Sequence, residues 1–463
     1  MRDQHIDLDE PIGLPKTIFV SERRNHFLFF RQDTGACIVL NEAGREVLEL
    51  LQLSRSPRQV IECLSSRHSL SRPRTERSVR AFLNRMVDRG FFPIPKVTRP
   101  VQEIPQFQPA EHNLSIIYFH LTNRCNLVCP YCYNAPYRQI GSSNRELSNS
   151  EICNCLDQIA ALGTKQVIFT GGEPLLRSDV LNLAEYARDL GLEISLLTNG
   201  TLIRDRAAQI ARLFNQVVVS LDSWRTEEYE NLRGRGTFES TIRGIRKLAQ
   251  TGKTQVYVRP VITRQNVGSL PDFPRYAASV LVCKDFMLAL CMPTSIQQAA
   301  QLKLLPDPEE YRLALDGFHL ALEEVGGTSN FETEPFLSDG NCGAGTNILS
   351  ITPNGDVFPC QCLLHPDVRA GNIKESPLDE LRRTSLFLLN LRQKGRTEFS
   401  ACSKCPVSSL CTFKCSAVFS IFEDAEEAFI NLLCPLSRTE IEYRLWNKAE
   451  RLYLEKLEGQ VLQ

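Results

Sequence analysis

The chain has 463 residues, 43% hydrophobic and 23% charged, with a formal net charge of -1; this is room for about three domains of roughly 150 residues each, and it excludes a global electrostatic pull toward nucleic acid or an anionic membrane. No apolar run approaches the roughly 18 residues of a membrane span, and the opening residues, MRDQHIDLDEPIG, are too polar for a signal peptide. Seventeen cysteines in a chain read as cytoplasmic argue against a disulfide framework, because the cytosol keeps thiols reduced, and their odd number and clustered spacing point to metal binding.

Residues 1–95 read as a small separate domain. The segments KTIFVS, HFLFFRQ and ACIVL have strand character and are divided by turn signals. Asn41 stands where a helix N-cap belongs, before EAGREVLELLQL. Two more helical patterns follow, SPRQVIECLSSRH and ERSVRAFLNRMVDRGFF. Three short strands followed by three helices predict a winged-helix-like α+β domain. Pro93, Pro95, Pro100, Pro105 and Pro109 then mark a linker, assigned to 96–113, because proline fixes φ and lacks an N–H.

From Leu114 to about residue 330, apolar strands alternate with amphipathic helices. The predicted strands are SIIYFHL, QVIFTG, EISLLTN, QVVVSLD, QVYVRPV and DFMLAL. Such alternation implies a parallel α/β sheet with crossover helices. Six units are too few to close an eight-stranded barrel, so a partial (β/α)6 barrel is expected. Residues 331–440 are cysteine-rich, with a hairpin turn expected at PNG, and 441–463 belong to a terminal helix. Cys153 and Cys155 lie two apart on one predicted helix, and Cys37, Cys63 and Cys283 sit in apolar patterns, where a free thiol acts as a small hydrophobe.

Three cysteines, Cys125, Cys129 and Cys132, follow the first barrel strand in C-x3-C-x2-C spacing. Loops at the carboxyl ends of parallel strands build active sites, and Pro130 opposes a continuous helix through this one. Spacing alone leaves zinc and iron–sulfur open. Zinc would want a fourth Cys or His at short range, and His120 lies within the strand. The motif, with the aromatic Tyr131 before its third cysteine and TGGEP at 170–174 after the second strand, resembles the radical S-adenosylmethionine (SAM) enzymes. In that family three cysteines hold a 4Fe–4S cluster whose open iron chelates SAM. The resemblance implies that Gly171, Gly172 and Glu173 hold the SAM amino group. It further implies that Thr198, Asn199, Ser220 and Asp222 line the ribose or carboxylate site, and that Arg233 pairs with the carboxylate.

Cys342, Gly355 and Cys360, then Cys402, Cys405, Cys411 and Cys415, then Cys434, match the seven-cysteine pattern of the SPASM domain, which carries auxiliary 4Fe–4S clusters. By the resemblance, Cys342, Cys360 and Cys415 hold one cluster, and Cys402, Cys405, Cys411 and Cys434 hold another. The first set is a ligand short; Cys291, Cys362 or an open position completes it. The N-terminal module, with IVLNEAGREVLELL at its centre, resembles the PqqD-like domains that recognise leader peptides by strand addition. Arg77, Arg80, Arg85 and Arg89 are expected to meet an acidic leader.

Together these resemblances imply a radical SAM maturase of a ribosomally made precursor peptide, with SAM and three 4Fe–4S clusters and an electron donor such as flavodoxin or ferredoxin. A 5′-deoxyadenosyl radical would abstract hydrogen from the peptide. A thioether crosslink is the expected product, with a carbon–carbon or ether crosslink as the alternative. Relatives that oxidise a sulfatase Ser or Cys have an acidic residue directly after the position of Cys360, and Gln361 stands there instead. A peptide-binding or electron-transfer protein that no longer cleaves SAM is the reading from another class. The residues name no general base.

Overall fold

The structure is a computed structural model, and it describes residues 6–14, 18–23, 25–53, 55–92, 114–135, 145–292, 303–333, 343–394, 401–411 and 426–449. These residues gather into two compact units that do not follow chain order. One draws on 1–108, 400–411 and 440–463; the other draws on 109–399 and 412–439.

In the first unit, strands β1 (Phe19–Arg23), β2 (His26–Phe30) and β3 (Cys37–Leu40) form an antiparallel sheet in that order. Side chains alternate between its faces. Phe27, Phe29, Ile38 and Leu40 enter a core with residues of helices α1 (Glu42–Gln52), α2 (Pro57–Arg67) and α3 (Arg72–Asp88). The alternate residues Phe19, Ser21, Leu28, Phe30 and Val39 are also buried. On that face, Trp446 of the terminal helix donates its indole N–H to Ser21 Oγ at 2.9 Å.

Asn41 caps α1 as expected, accepting from the Gly44 N–H at 3.0 Å. Ser56 and Gln59 form a capping box on α2. The third helix begins at Arg72, four residues before the pattern ERSVRAFL starts. Pro73 lies in its first turn, where the missing N–H would have no helical partner anyway.

In the second unit, the six predicted barrel strands are present: β4 (Ile116–His120), β5 (Gln166–Thr170), β6 (Glu193–Thr198), β7 (Gln216–Ser220), β8 (Gln255–Arg259), continued by β9 (Val261–Ile262), and β10 (Asp285–Phe286), continued by β11 (Ala289–Leu290). The strands β4 to β8 and β10 are parallel neighbours in the order β10-β8-β7-β6-β5-β4. One side of each strand packs apolar residues: Phe119 and Phe169 meet edge to face at 6.5 Å, and Phe169 and Phe214 at 6.1 Å.

The sheet stays open, in keeping with a partial barrel. At one end lies β12 (Thr328–Ser329). At the other, β13 (Ile348–Ile351) pairs parallel to β4, and β14 (Asp356–Phe358) and β15 (Gly371–Asn372) extend it antiparallel. The hairpin read at PNG is therefore β13–β14, with Gly355 at φ +95° in its turn. It carries the barrel sheet into the cysteine-rich region and sets Cys360 two residues beyond β14. Among the described residues, no helix is long and apolar enough to cross a membrane.

Candidate active site

The parallel strands all end on one side of the sheet, so the segments after them converge. Cys125, Cys129 and Cys132, on the segment after β4, line one cavity of about 300 Å³. The loop turns rather than running as a helix, as Pro130 requires. Cys132 N–H donates to the Cys129 carbonyl at 3.2 Å, and Ala135 N–H to the Cys132 carbonyl at 3.1 Å. Its entry is held by Glu146, which accepts from Thr122 Oγ1 and from Asn123 N–H, both at 2.8 Å. No motif marks Glu146; only the tertiary structure brings it there.

Gly171 and Gly172 also line the cavity, and geometry explains why both are glycine. A Cβ on Gly171 would lie 2.5 Å from the Thr122 carbonyl oxygen, and one on Gly172 would lie 2.2 Å from that of Arg124. The same carbonyls accept from Gly172 N–H and Glu173 N–H at 2.8 Å. The pair is thus fitted against the cysteine loop itself.

Glu173 lies buried beneath them. Its carboxylate accepts from Asn199 N–H at 2.8 Å, Thr198 Oγ1 at 2.9 Å and Leu175 N–H at 3.0 Å. Burial pushes its carboxyl up to about 7 against the pull of these three donors. Here the side chain ties the GGEP turn to the end of β6. Thr198 turns its hydroxyl to that carboxylate. Asn199 donates to Asn126 Oδ1 at 2.8 Å and accepts from Thr201, so it braces the cysteine loop from the side. Thr198, Asn199 and Ser220 all contribute to the cavity wall.

Asp222 and Arg233 are brought together, but with each other. Arg233 Nε and Nη2 donate to the two Asp222 oxygens at 2.7 and 2.9 Å. Tyr131 donates its hydroxyl to the same carboxylate, and Val261 N–H does so at 3.0 Å. The Arg233 guanidinium also stands 5.5 Å from the Tyr131 ring centre. This buried cluster pins the cysteine loop, through Tyr131, to the ends of β7 and β8. Arg233 lines the cavity, yet its charge is already matched.

The cavity holds a second cation that motif reading passed over. Arg259 ends β8, in register with Ser220, and lines the cavity. Among the described residues its guanidinium has no carboxylate partner. The signal was available as a basic residue at the carboxyl end of a strand, on the inward-facing parity. Cys291 and Cys362 line the same cavity. A hydrogen bond with Cys360, aided by the nearby Arg259, holds the Cys362 thiol below the usual range, whereas burial pushes Cys291 up to about 12. Cys342 and Cys415 lie outside the described residues. Cys402, Cys405 and Cys411 lie in the first unit, and Cys434 opens the terminal helix, Cys434–Ala449. His120 is buried in β4, neither ring nitrogen having a partner among the described residues, and burial pulls its imidazole down to about 4.

Among the described residues, no three Cys, His, Asp or Glu side chains close around a single metal ion. Three cysteines on one loop of the cavity suit an iron–sulfur cluster, and Arg259, without a carboxylate partner among the described residues, suits a carboxylate ligand.

Comparison with known proteins agrees with this chemistry. The radical SAM superfamily model matches residues 119–276, the SPASM iron–sulfur cluster-binding domain model matches 342–406, and the model of coenzyme PQQ synthesis protein D matches 28–91. The mycofactocin maturase MftC of Mycobacterium ulcerans is 30% identical over 66% of this chain and 85% of its own. The AdoMet-dependent heme synthase of Methanosarcina barkeri is 27% identical over 64% of this chain and 89% of its own. Streptococcus suis SuiB bound to precursor peptide SuiA superposes with a TM-score of 0.53 at 17% identity, covering 88% of this chain and 96% of that one.

Proposed function

This chain belongs to the radical SAM superfamily, in the group that also carries SPASM and PqqD-like domains, and we propose that it is a maturase of a ribosomally made precursor peptide that installs a thioether crosslink. The observation that carries the reading is the cavity itself. It gathers Cys125, Cys129, Cys132 and the glycine turn with Arg259, Cys291 and Cys362 in one lining. The names of two relatives support a peptide substrate: one is a maturase, and another was solved with a precursor peptide.

Cys125, Cys129 and Cys132 would hold the SAM-binding 4Fe–4S cluster. With SAM and an electron from flavodoxin or ferredoxin, that cluster supplies radical hydrogen abstraction. Gly171 and Gly172 keep the backbone close to the ligand. Arg259 offers its guanidinium to a carboxylate, of SAM or of the peptide. The apolar residues Leu127, Val218, Val261 and Leu290 keep water from the reacting carbon. Cys342, Cys360 and Cys415 would hold one auxiliary cluster and Cys402, Cys405, Cys411 and Cys434 the other. Cys362, beside Cys360, is the better placed of the two candidates for the remaining ligand; left open, the position would take a substrate thiolate.

The leader would add as a strand to the sheet of the first unit. Among the described residues, neither outer edge, on β1 or β3, pairs with another strand. Arg77, Arg80, Arg85 and Arg89 are exposed on or just after α3, in keeping with an acidic leader. The test is anaerobic reconstitution with SAM, dithionite and the short peptide encoded beside the gene. Formation of 5′-deoxyadenosine and a product lighter by two hydrogens, with the Cys sulfur bound to carbon in tandem mass spectra, is the expected result. A carbon–carbon link would replace the thioether in the reading; no peptide binding and no product would overturn it.

A further inference from the structure

The N-terminal domain does more in this structure than offer a sheet edge. Segment 400–411, which carries Cys402, Cys405 and Cys411, falls in the same compact unit as that domain. The segment folds as two short turns, Cys402–Lys404 and Ser408–Leu410. Cys405 N–H donates to the Cys402 carbonyl at 3.2 Å, and Cys411 N–H to the Ser408 carbonyl at 3.3 Å. Val407, between the turns, and Ser408, which opens the second, are buried.

What meets these turns is Gln32, in the tight connection from β2 to β3. In the amide orientation that satisfies every partner, its nitrogen donates to the Cys405 carbonyl at 2.8 Å and to the Pro406 carbonyl at 3.2 Å. Its oxygen accepts from Ser408 Oγ at 3.0 Å. Only a side chain with a donor and an acceptor at this length makes all three bonds. The connection is itself held firmly: Arg31 N–H and the Ala36 carbonyl close it at 2.9 Å, and the Arg31 guanidinium reaches Asp33 and the Phe91 carbonyl. Across the sheet, Trp446 of the helix that opens at Cys434 is fixed to Ser21.

We propose that Gln32 is a positioning residue for the second auxiliary cluster, and that the N-terminal domain is the mount of its cysteine loop. The proposal rests on the reading of Cys402, Cys405, Cys411 and Cys434 as ligands. Removing the amide frees two carbonyls and one hydroxyl between successive ligand cysteines. The loop then opens more readily, and its iron becomes accessible.

The experiment uses the full-length chain, reconstituted anaerobically, as wild type, Gln32→Ala, Gln32→Glu and Ser408→Ala. Iron release to a ferrous chelator is followed with time, and the midpoint potentials are read by electron paramagnetic resonance. Loss of three hydrogen bonds predicts about tenfold or more faster release from one of three iron pools in Gln32→Ala, with a shifted potential for that cluster alone. Gln32→Glu, which keeps the shape but turns a carboxylate on the two carbonyls, should match or exceed it. Ser408→Ala, which leaves both carbonyl bonds, should fall between. Wild-type release and potentials in both Gln32 variants would overturn the proposal. So would a uniform change in all pools, which marks general destabilisation. A wild type with no third iron pool would overturn the ligand reading and the proposal with it.

Discussion

Replacing Arg233 by methionine asks whether its charge serves the fold or a ligand. In the wild type, Asp222 receives four donors: two from Arg233, one from Tyr131 and one from Val261. Both members of the ion pair are buried, with side chains 10% and 0% exposed. The variant leaves the carboxylate with two donors and no countercharge. Removing one partner of a buried pair costs about 3–5 kcal/mol. For a unit of this size, each kcal/mol lowers Tm by roughly 2–4 °C, so the barrel transition should fall by about 10 °C. The second replacement, Asp222→Asn, removes the stranded charge, and the double variant should recover most of the loss. Calorimetry on the four apo chains measures the coupling, and equilibrium dialysis of SAM on the cluster-loaded chains measures binding. The double variant is expected to bind SAM within threefold of wild type. A single variant that keeps its Tm but loses SAM affinity a hundredfold would refute the reasoning and return Arg233 to the SAM carboxylate.

Gly172→Ala places a Cβ 2.2 Å from a backbone carbonyl of the cysteine loop, which cannot swing aside as a side chain does; iron analysis should show one cluster lost and the others kept. His120 is held neutral by burial, its imidazole pulled to about 4 from an ordinary 6.5. The unfolded chain therefore takes up a proton first as pH falls, and stability present above about 6.5 is lost toward pH 4. Denaturant titrations at pH 7 and pH 4.5 should show wild type losing up to about 3 kcal/mol relative to His120→Leu, the comparison cancelling the opposite contribution of the raised Glu173 carboxyl. Cys362→Ala should change the electron paramagnetic resonance signal of one auxiliary cluster if Cys362 is its fourth ligand, while Cys291→Ala should leave that signal alone. The opposite pattern would move the assignment to Cys291.

The six strands of the partial barrel, the capped helices of the N-terminal domain and the hairpin at residues 353–355 were legible because each follows from local rules. Strand alternation, an N-cap such as Asn41 and a glycine turn depend on neighbours in the chain. The placement of Cys125, Cys129 and Cys132 on one loop after β4 was legible for the same reason. Partnership between distant side chains was not. The resemblance points Glu173 and Arg233 at a ligand; the structure adds that the Glu173 carboxylate bonds the end of β6 and that Arg233 pairs with Asp222. Arg259 and Glu146 carry no motif, yet one lines the cavity without a carboxylate partner among the described residues and the other anchors the cysteine loop.

The sequence by itself therefore determined which elements form and which cysteines share a loop, through periodicity and spacing that act over a few residues. Only the tertiary structure decided which charges meet. Burial makes an unmatched charge costly, so the fold pairs Arg233 with Asp222 eleven residues away and leaves Arg259 for the cavity. The same holds for Gln32, whose amide finds the Cys405 loop only when the ends of the chain come together in one unit.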